Sequence, residues 1–163
     1  MKKSLVFLIT LFLIVSTFSV FAAEKNNAEL TTQLVSQKAE YYEDGTYAVI
    51  TITQEVSKTT RGTVYNTSGS KSYVHIGTSG EELFRFTVHG TFTVTTGVNA
   101  MCTASSYSVN IFNDAWSNKS ASTYEYSNQA IGNATFTKKV LFVTTDTKDF
   151  QVILSCDANG QLS

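Results

Sequence analysis

Proline is absent from this chain, so no rigid proline-rich linker divides it and a sorting signal of the Leu-Pro-x-Thr-Gly kind is impossible. Histidine and cysteine occur twice each and tryptophan once. His75 and His89 fall on different expected strands, and no His-Glu-x-x-His run or carboxylate cluster accompanies them. Neither a metal nor a cofactor is therefore expected. There is no Gly-x-Ser-x-Gly elbow for a nucleophilic serine, and no glycine loop or calcium-loop spacing for a phosphate or a cation. Charge of one sign is missing too: 12 Lys and Arg face 13 Asp and Glu. Without a basic stripe, nucleic acid is not an expected partner.

What is present begins with Lys2 and Lys3, followed by an uncharged apolar run from Leu5 to Val20. This is the pattern of a secretory signal. Val20-Phe21-Ala22 offers small or compact residues at the positions that a signal peptidase reads, which places the signal at residues 1–22, with cleavage after Ala23 as the second choice. An uncleaved membrane anchor is the alternative, since the run is nearly long enough to span a bilayer. Ser16, Thr17 and Ser19 interrupt it, however, and no basic cluster follows. The mature chain starts without a lipidated cysteine, so a secreted, extracellular protein with no stable membrane span is expected.

Residues 23–44 form a polar stretch in which Leu30, Leu34 and Val35 are the large apolar side chains between Glu24 and Glu40. The spacing of Leu30, Leu34 and Tyr41 permits a thin amphipathic helix, and the stretch is expected to be a leader, mobile or partly helical. From Asp44-Gly45 onward, β-branched and aromatic residues alternate with Thr and Ser. Strands are expected over Tyr47 to Val56, Lys71 to Ile76, Leu83 to Thr96, Ala100 to Phe112, Trp116 to Tyr126, Gln129 to Val143 (one long or two short) and Lys148 to Cys156. Gly62, Asn66, Ser68 and Gly69 mark loops, with a short strand around Thr63 to Tyr65. The clearest element places Phe84, Phe86, Val88, Phe92 and Val94 on one face and Arg85, Thr87, His89, Thr91, Thr93 and Thr95 on the other. Gly90 falls on the apolar face, where a glycine marks a bend or a close backbone approach.

Seven to nine strands without a convincing helix predict an all-β fold over residues 45–163. An antiparallel β-sandwich is preferred, with a partly closed barrel as the alternative. Phe84, Phe86, Val88, Phe92, Phe150, Val152 and Leu154 are the expected core. Cys102 and Cys156, in a chain sent to an oxidising compartment, are expected to form a disulfide. Its loop would restrict the unfolded chain by roughly 4 kcal/mol; two thiols are the alternative. Cys102 lies off the parity of Tyr107, Val109 and Ile111, so a β-bulge is expected between Thr103 and Ser106.

Cys102-Thr103, Trp116, Gly132-Asn133-Ala134-Thr135, Lys138-Lys139 and the ending LSCDANGQLS resemble an uncharacterised family of small secreted β-rich proteins of low-GC Gram-positive bacteria. The resemblance covers residues 81–163. It implies a signal peptide, a single β-domain and a cysteine pair, and it implies no activity.

No catalytic set emerges. Glu81, Glu82, Asp114, Glu125, Asp146, Asp149 and Asp157 sit mostly at turns or strand ends, and a glycosidase needs two carboxylates facing each other across about 5 to 9 Å. Thr87, Thr91, Thr93 and Thr95, with Thr51 and Thr53, form either a hydroxyl ladder for sugars or ordered water, or an ordinary wet sheet face. Tyr124 and Tyr126 share one strand face, about 7 Å apart, a spacing at which two rings make a platform for a carbohydrate or peptide, with Trp116 nearby; the bland alternative is core. Sequons begin at Asn66, Asn118 and Asn133. The leading expectation is a secreted non-catalytic binding module for a cell-surface glycan or protein, contacting it through Tyr124, Tyr126 and Trp116. The alternatives are a bacteriocin-like or toxin-like effector and a small carboxylate-dependent hydrolase.

Overall fold

A computed structural model describes residues 30–57 and 63–163. The expected signal peptide, its cleavage site and the first part of the leader lie outside the described residues. Eight antiparallel strands follow one another: β1 (Leu30–Tyr41), β2 (Tyr47–Ser57), β3 (Val64–Ile76), β4 (Glu82–Thr95), β5 (Asn99–Ile111), β6 (Trp116–Tyr126), β7 (Gln129–Val140) and β8 (Val143–Ser155). They form a five-stranded sheet in the order β1 to β5 and a three-stranded sheet in the order β6 to β8, neither closed into a barrel. The fold is a β-sandwich in which every strand pairs with its sequence neighbour except across the one change of sheet. That change occurs at residues 112–115, where the Asn113 side chain accepts a hydrogen bond from the Ala115 N–H (3.0 Å) and its carbonyl accepts one from the Trp116 N–H (2.9 Å). Asn is suited to such a turn because its side chain replaces a backbone acceptor.

The segment Leu30–Tyr41, expected as a mobile or partly helical leader, is instead the edge strand β1, so the β-domain begins before residue 45. Its side chains from Thr31 to Tyr41 are exposed, and it is held by its backbone ladder to β2 from Leu30↔Ser57 to Tyr41↔Tyr47. A strand that covers nothing has no apolar alternation to read, and polar edge strands resist pairing with other chains. β3 likewise runs unbroken through Asn66, Ser68 and Gly69, which the sequence marked as loop.

The core lies between the sheets. Phe84, Phe86, Val88, Phe92 and Val94 of β4 meet Ala130, Ala134 and Phe136 of β7 and Val152 and Leu154 of β8. The Phe84 and Phe136 rings stack at 4.0 Å between centroids. Phe150, expected in the core, is half-buried at its margin. Trp116, expected on a contact surface, is buried at 5% exposure and packs against Phe84 at 5.0 Å. Gly90 and Gly132 mark where the sheets come closest. A Cβ on Gly132 would lie 2.3 Å from Val88 Cγ2, and one on Gly90 would lie 2.8 Å from the Phe92 ring and 3.1 Å from the Ala130 Cβ. Side chains there would force the layers apart.

The two cysteines are not bonded to one another, which corrects the expected disulfide. Both are buried beside the β6–β7 turn: the Cys102 N–H bonds to the Ser127 carbonyl (2.8 Å) and the Cys156 N–H to the Asn128 carbonyl (3.0 Å). Each thiol turns to a carbonyl in its own strand region, Cys102 to Ala104 and Cys156 to Asp157, both at 3.5 Å. The bulge that brings Cys102 inward is present. Thr91 pairs with Ala104 and Phe92 with Cys102, leaving Thr103 as the extra residue.

The C-terminal residues close one end of the sandwich. Asp157 Oδ1 accepts hydrogen bonds from the Asn159 and Gln161 N–H groups, both at 2.8 Å. This turn lets Ser163 pair with Ser155 and Leu162 with Cys156. Leu162 is buried, and buried Gln54 of β2 donates from Nε2 to the Gly160 carbonyl (2.7 Å) and to Thr67 Oγ1 (2.8 Å).

Candidate functional site

Strand alternation determines which β6 side chains leave the core. From Ala121 onward, odd positions face inward across Ala134 and Gly132, so Tyr124 and Tyr126 point outward opposite Ile131 and Gln129. They are 45% and 67% exposed. Trp116 has the same parity yet is buried, because Asn118 pairs with Phe136 and Ser120 with Thr135, leaving Lys119 as a bulge that inverts the strand's faces. The expected trio is thus divided: two rings on the outer surface, one in the core.

Along the outer face from Tyr124 the rows become polar. Ser122 lies opposite Asn133 and Gln151, and Ser120 opposite Thr135 and Asp149. The Gln151 Nε2 donates to Asn133 Oδ1 at 2.9 Å and Thr135 Oγ1 to Asp149 Oδ1 at 2.5 Å. These residues line a shallow depression of about 390 Å³. Amides and hydroxyls pre-ordered by one another are suited to a ligand rich in hydroxyl groups.

A second concavity, of about 450 Å³, lies between the two sheets where the three-stranded sheet leaves β1 and β2 uncovered. Lys38, Lys71, Tyr42, Tyr73, His75 and Phe150 line it. Sequence reading missed it because one wall belongs to β1; the single signal was Lys71, a cation at a mid-strand position that the alternation with Tyr73 turns inward. The Tyr42 and Tyr73 hydroxyls are 2.8 Å apart, and Tyr73 stacks on Phe150 at 4.4 Å. Burial, with the Tyr42 hydrogen bond second, pushes the Tyr73 phenol far above its ordinary value, so it is a neutral group. Burial also lowers the Lys71 ammonium, helped by nearby Lys38, while Glu40 pulls the other way. Lys38 pairs with Glu40 at 2.6 Å and Lys148 with Asp44 at 3.3 Å. Among the described residues, Lys71 has no carboxylate within ion-pair distance.

The histidines are not brought together. His75 faces inward opposite Phe84, while His89 faces outward opposite Ser70. Among the described residues no group of three His, Cys, Asp or Glu side chains is placed to hold a metal ion. Three carboxylates are shifted in the direction opposite to that of a general acid, which must stay protonated near neutrality. Asp44 is drawn down to about 2 by hydrogen bonds from the Thr46 hydroxyl and N–H, and Glu81 and Glu125 are lowered by hydroxyls of Ser79 and Ser105. The threonine ladder is engaged by neighbouring β3 side chains: Thr53 bonds Ser70 at 2.9 Å, Thr87 bonds Ser72 at 2.8 Å, and Thr93 donates to Asn66 at 2.8 Å.

No protein-family model, curated protein or solved structure matches this chain.

Proposed function

We propose that the domain is a secreted, non-catalytic binding module that holds a cell-envelope glycan on the outer face of β6, β7 and β8. The observation that carries this reading is the pair of exposed rings Tyr124 and Tyr126 in line with the polar row Ser122, Asn133 and Gln151. A sugar ring presents an apolar C–H face and a rim of hydroxyls. Tyrosine rings cover the first with little rotamer entropy to lose, and amides and hydroxyls satisfy the second. Both sets stand on paired strands, which hold such groups more firmly than loops do.

Replacing both rings, Tyr124→Ala with Tyr126→Ala, is expected to abolish retention on purified cell-wall glycan while changing stability by less than about 1 kcal/mol, since both side chains are exposed. A pulldown beside a thermal melt checks this. Undiminished retention, or a collapse in Tm, would overturn the assignment. A second reading places the ligand in the cleft between the sheets, favoured by Lys71, which among the described residues has no carboxylate within ion-pair distance. In that case Lys71→Gln weakens retention and the tyrosine changes do not.

A further inference from the structure

Within the three-stranded sheet the strands end at different heights beside the β7–β8 turn. The β6–β7 ladder ends at Trp116↔Lys138, followed by one last bond from the Lys139 N–H to the Ala115 carbonyl (2.8 Å), whereas β7 and β8 continue through Lys139↔Thr144 and Val140↔Val143. A two-stranded ribbon therefore overhangs the sandwich. It is bent at its root, because Lys138 pairs with Asp146 and Lys139 with Thr144, leaving Thr145 as an extra residue.

The turn at its end contains two residues, Leu141 at φ 48° and Phe142 at φ 69°. A two-residue hairpin with left-handed backbone at both positions ordinarily takes Asn-Gly, because bulky side chains are strained there. Here the strained positions carry large apolar groups that cover nothing: Leu141 is 87% exposed and Phe142 100%, between exposed Val140 and Val143. Neither folding nor solubility asks for Val-Leu-Phe-Val at this place, and both are opposed by it.

We propose that this hairpin is a lipid-inserting tip that docks the protein on a phospholipid surface. A convex apolar tip needs a matching pocket in a protein partner, whereas a bilayer admits it without one. The charges fit the same occupant. Lys139, exposed and without an ion pair among the described residues, stands directly beneath the tip, and half-buried Lys138 lies next to it opposite Asp146 and near Glu81. With Leu141 and Phe142 in the acyl boundary, the exposed Lys139 ammonium lies at headgroup level, where anionic phosphate attracts it. Tyr124 and Tyr126 lie toward the opposite end of the three-stranded sheet, so the lipid and glycan readings stand or fall separately.

The test is flotation of the secreted chain with mixed phosphatidylglycerol and phosphatidylcholine vesicles. Leu141→Asn with Phe142→Gly supplies the residues the turn prefers, so this variant is expected to melt higher than the parent and to lose vesicle binding by about a hundredfold. In Phe142→Trp, vesicles are expected to shift the new indole's emission to the blue, and brominated acyl chains to quench it, beyond the background of buried Trp116. Absence of flotation, or flotation equal in the Asn-Gly variant, overturns the proposal. So does a dimer in gel filtration that the Asn-Gly variant dissolves without lipid, because the occupant is then a second copy of the chain.

Discussion

His75 is the buried residue whose chemistry conflicts most with its surroundings. Its Nδ1 lies 3.4 Å from the Tyr73 hydroxyl, its Nε2 is buried without a hydrogen-bond partner, and its ring stacks on Phe84 at 5.1 Å. Burial, and then the charge of Lys148, holds the imidazole below its ordinary value, while Asp44 and Asp146 pull the other way. Tyr42, Tyr73, Phe84 and Trp116, the rings around it, supply no compensating charge. Below about pH 6.5 the unfolded chain therefore binds a proton that the folded chain resists, and stability falls as pH drops. The lowered carboxylates act only at more acidic pH, below about 4. Melting curves from about pH 7 to about pH 5 are expected to show a falling Tm in the parent chain and a flatter profile in His75→Phe. Equal slopes would show that His75 is not the group responsible. At this same scale the candidate site was half legible. Tyr124 and Tyr126 were found from their i, i+2 spacing; Trp116 was misplaced because a bulge at Lys119 changes parity without leaving a mark in residue type.

Individual strands were readable where one face is apolar and unreadable where neither is. β4 alternates along its length because one side meets the opposing sheet and the other meets water. β1 has no such contrast, and its own bulge at Val35, between the pairs Leu34↔Thr53 and Ser36↔Ile52, breaks even the weak periodicity it has. The spacing of Leu30, Leu34 and Tyr41 then imitated a helix. The bulge in β5 was legible, by contrast, because Cys102, which is buried, and Val109, which packs against the core, differ in parity. Glycine in strands marked contact between elements rather than loops. Gly132→Val is accordingly expected to destabilise the protein by about 1–3 kcal/mol, since its Cβ would meet Val88 and Phe86 at 2.3 and 2.9 Å. Denaturant titration checks this, and an unchanged midpoint would mean that the sheets are packed less closely than this.

For the molecule as a whole, cohesion comes from the aromatic core and the folded-back C-terminal residues, not from a covalent staple. With Cys102 and Cys156 unjoined, a reductant is expected to leave the Tm unchanged; a drop of many degrees on adding it would show that a bridge carries stability after all. Composition and alternation alone determined the all-β class and the identity of most of the core, because burial of one strand face must be written in the residues that occupy it. The tertiary structure alone decided three other things. Polar β1 joins a sheet because backbone pairing does not depend on side-chain type. The two sulfurs remain unjoined because their orientation follows from local backbone geometry that cysteine spacing does not encode. Val140 to Val143, read in the chain as the end of a strand, lie at an uncovered tip because exposure depends on what packs against a segment, and the neighbouring strand stops short of it.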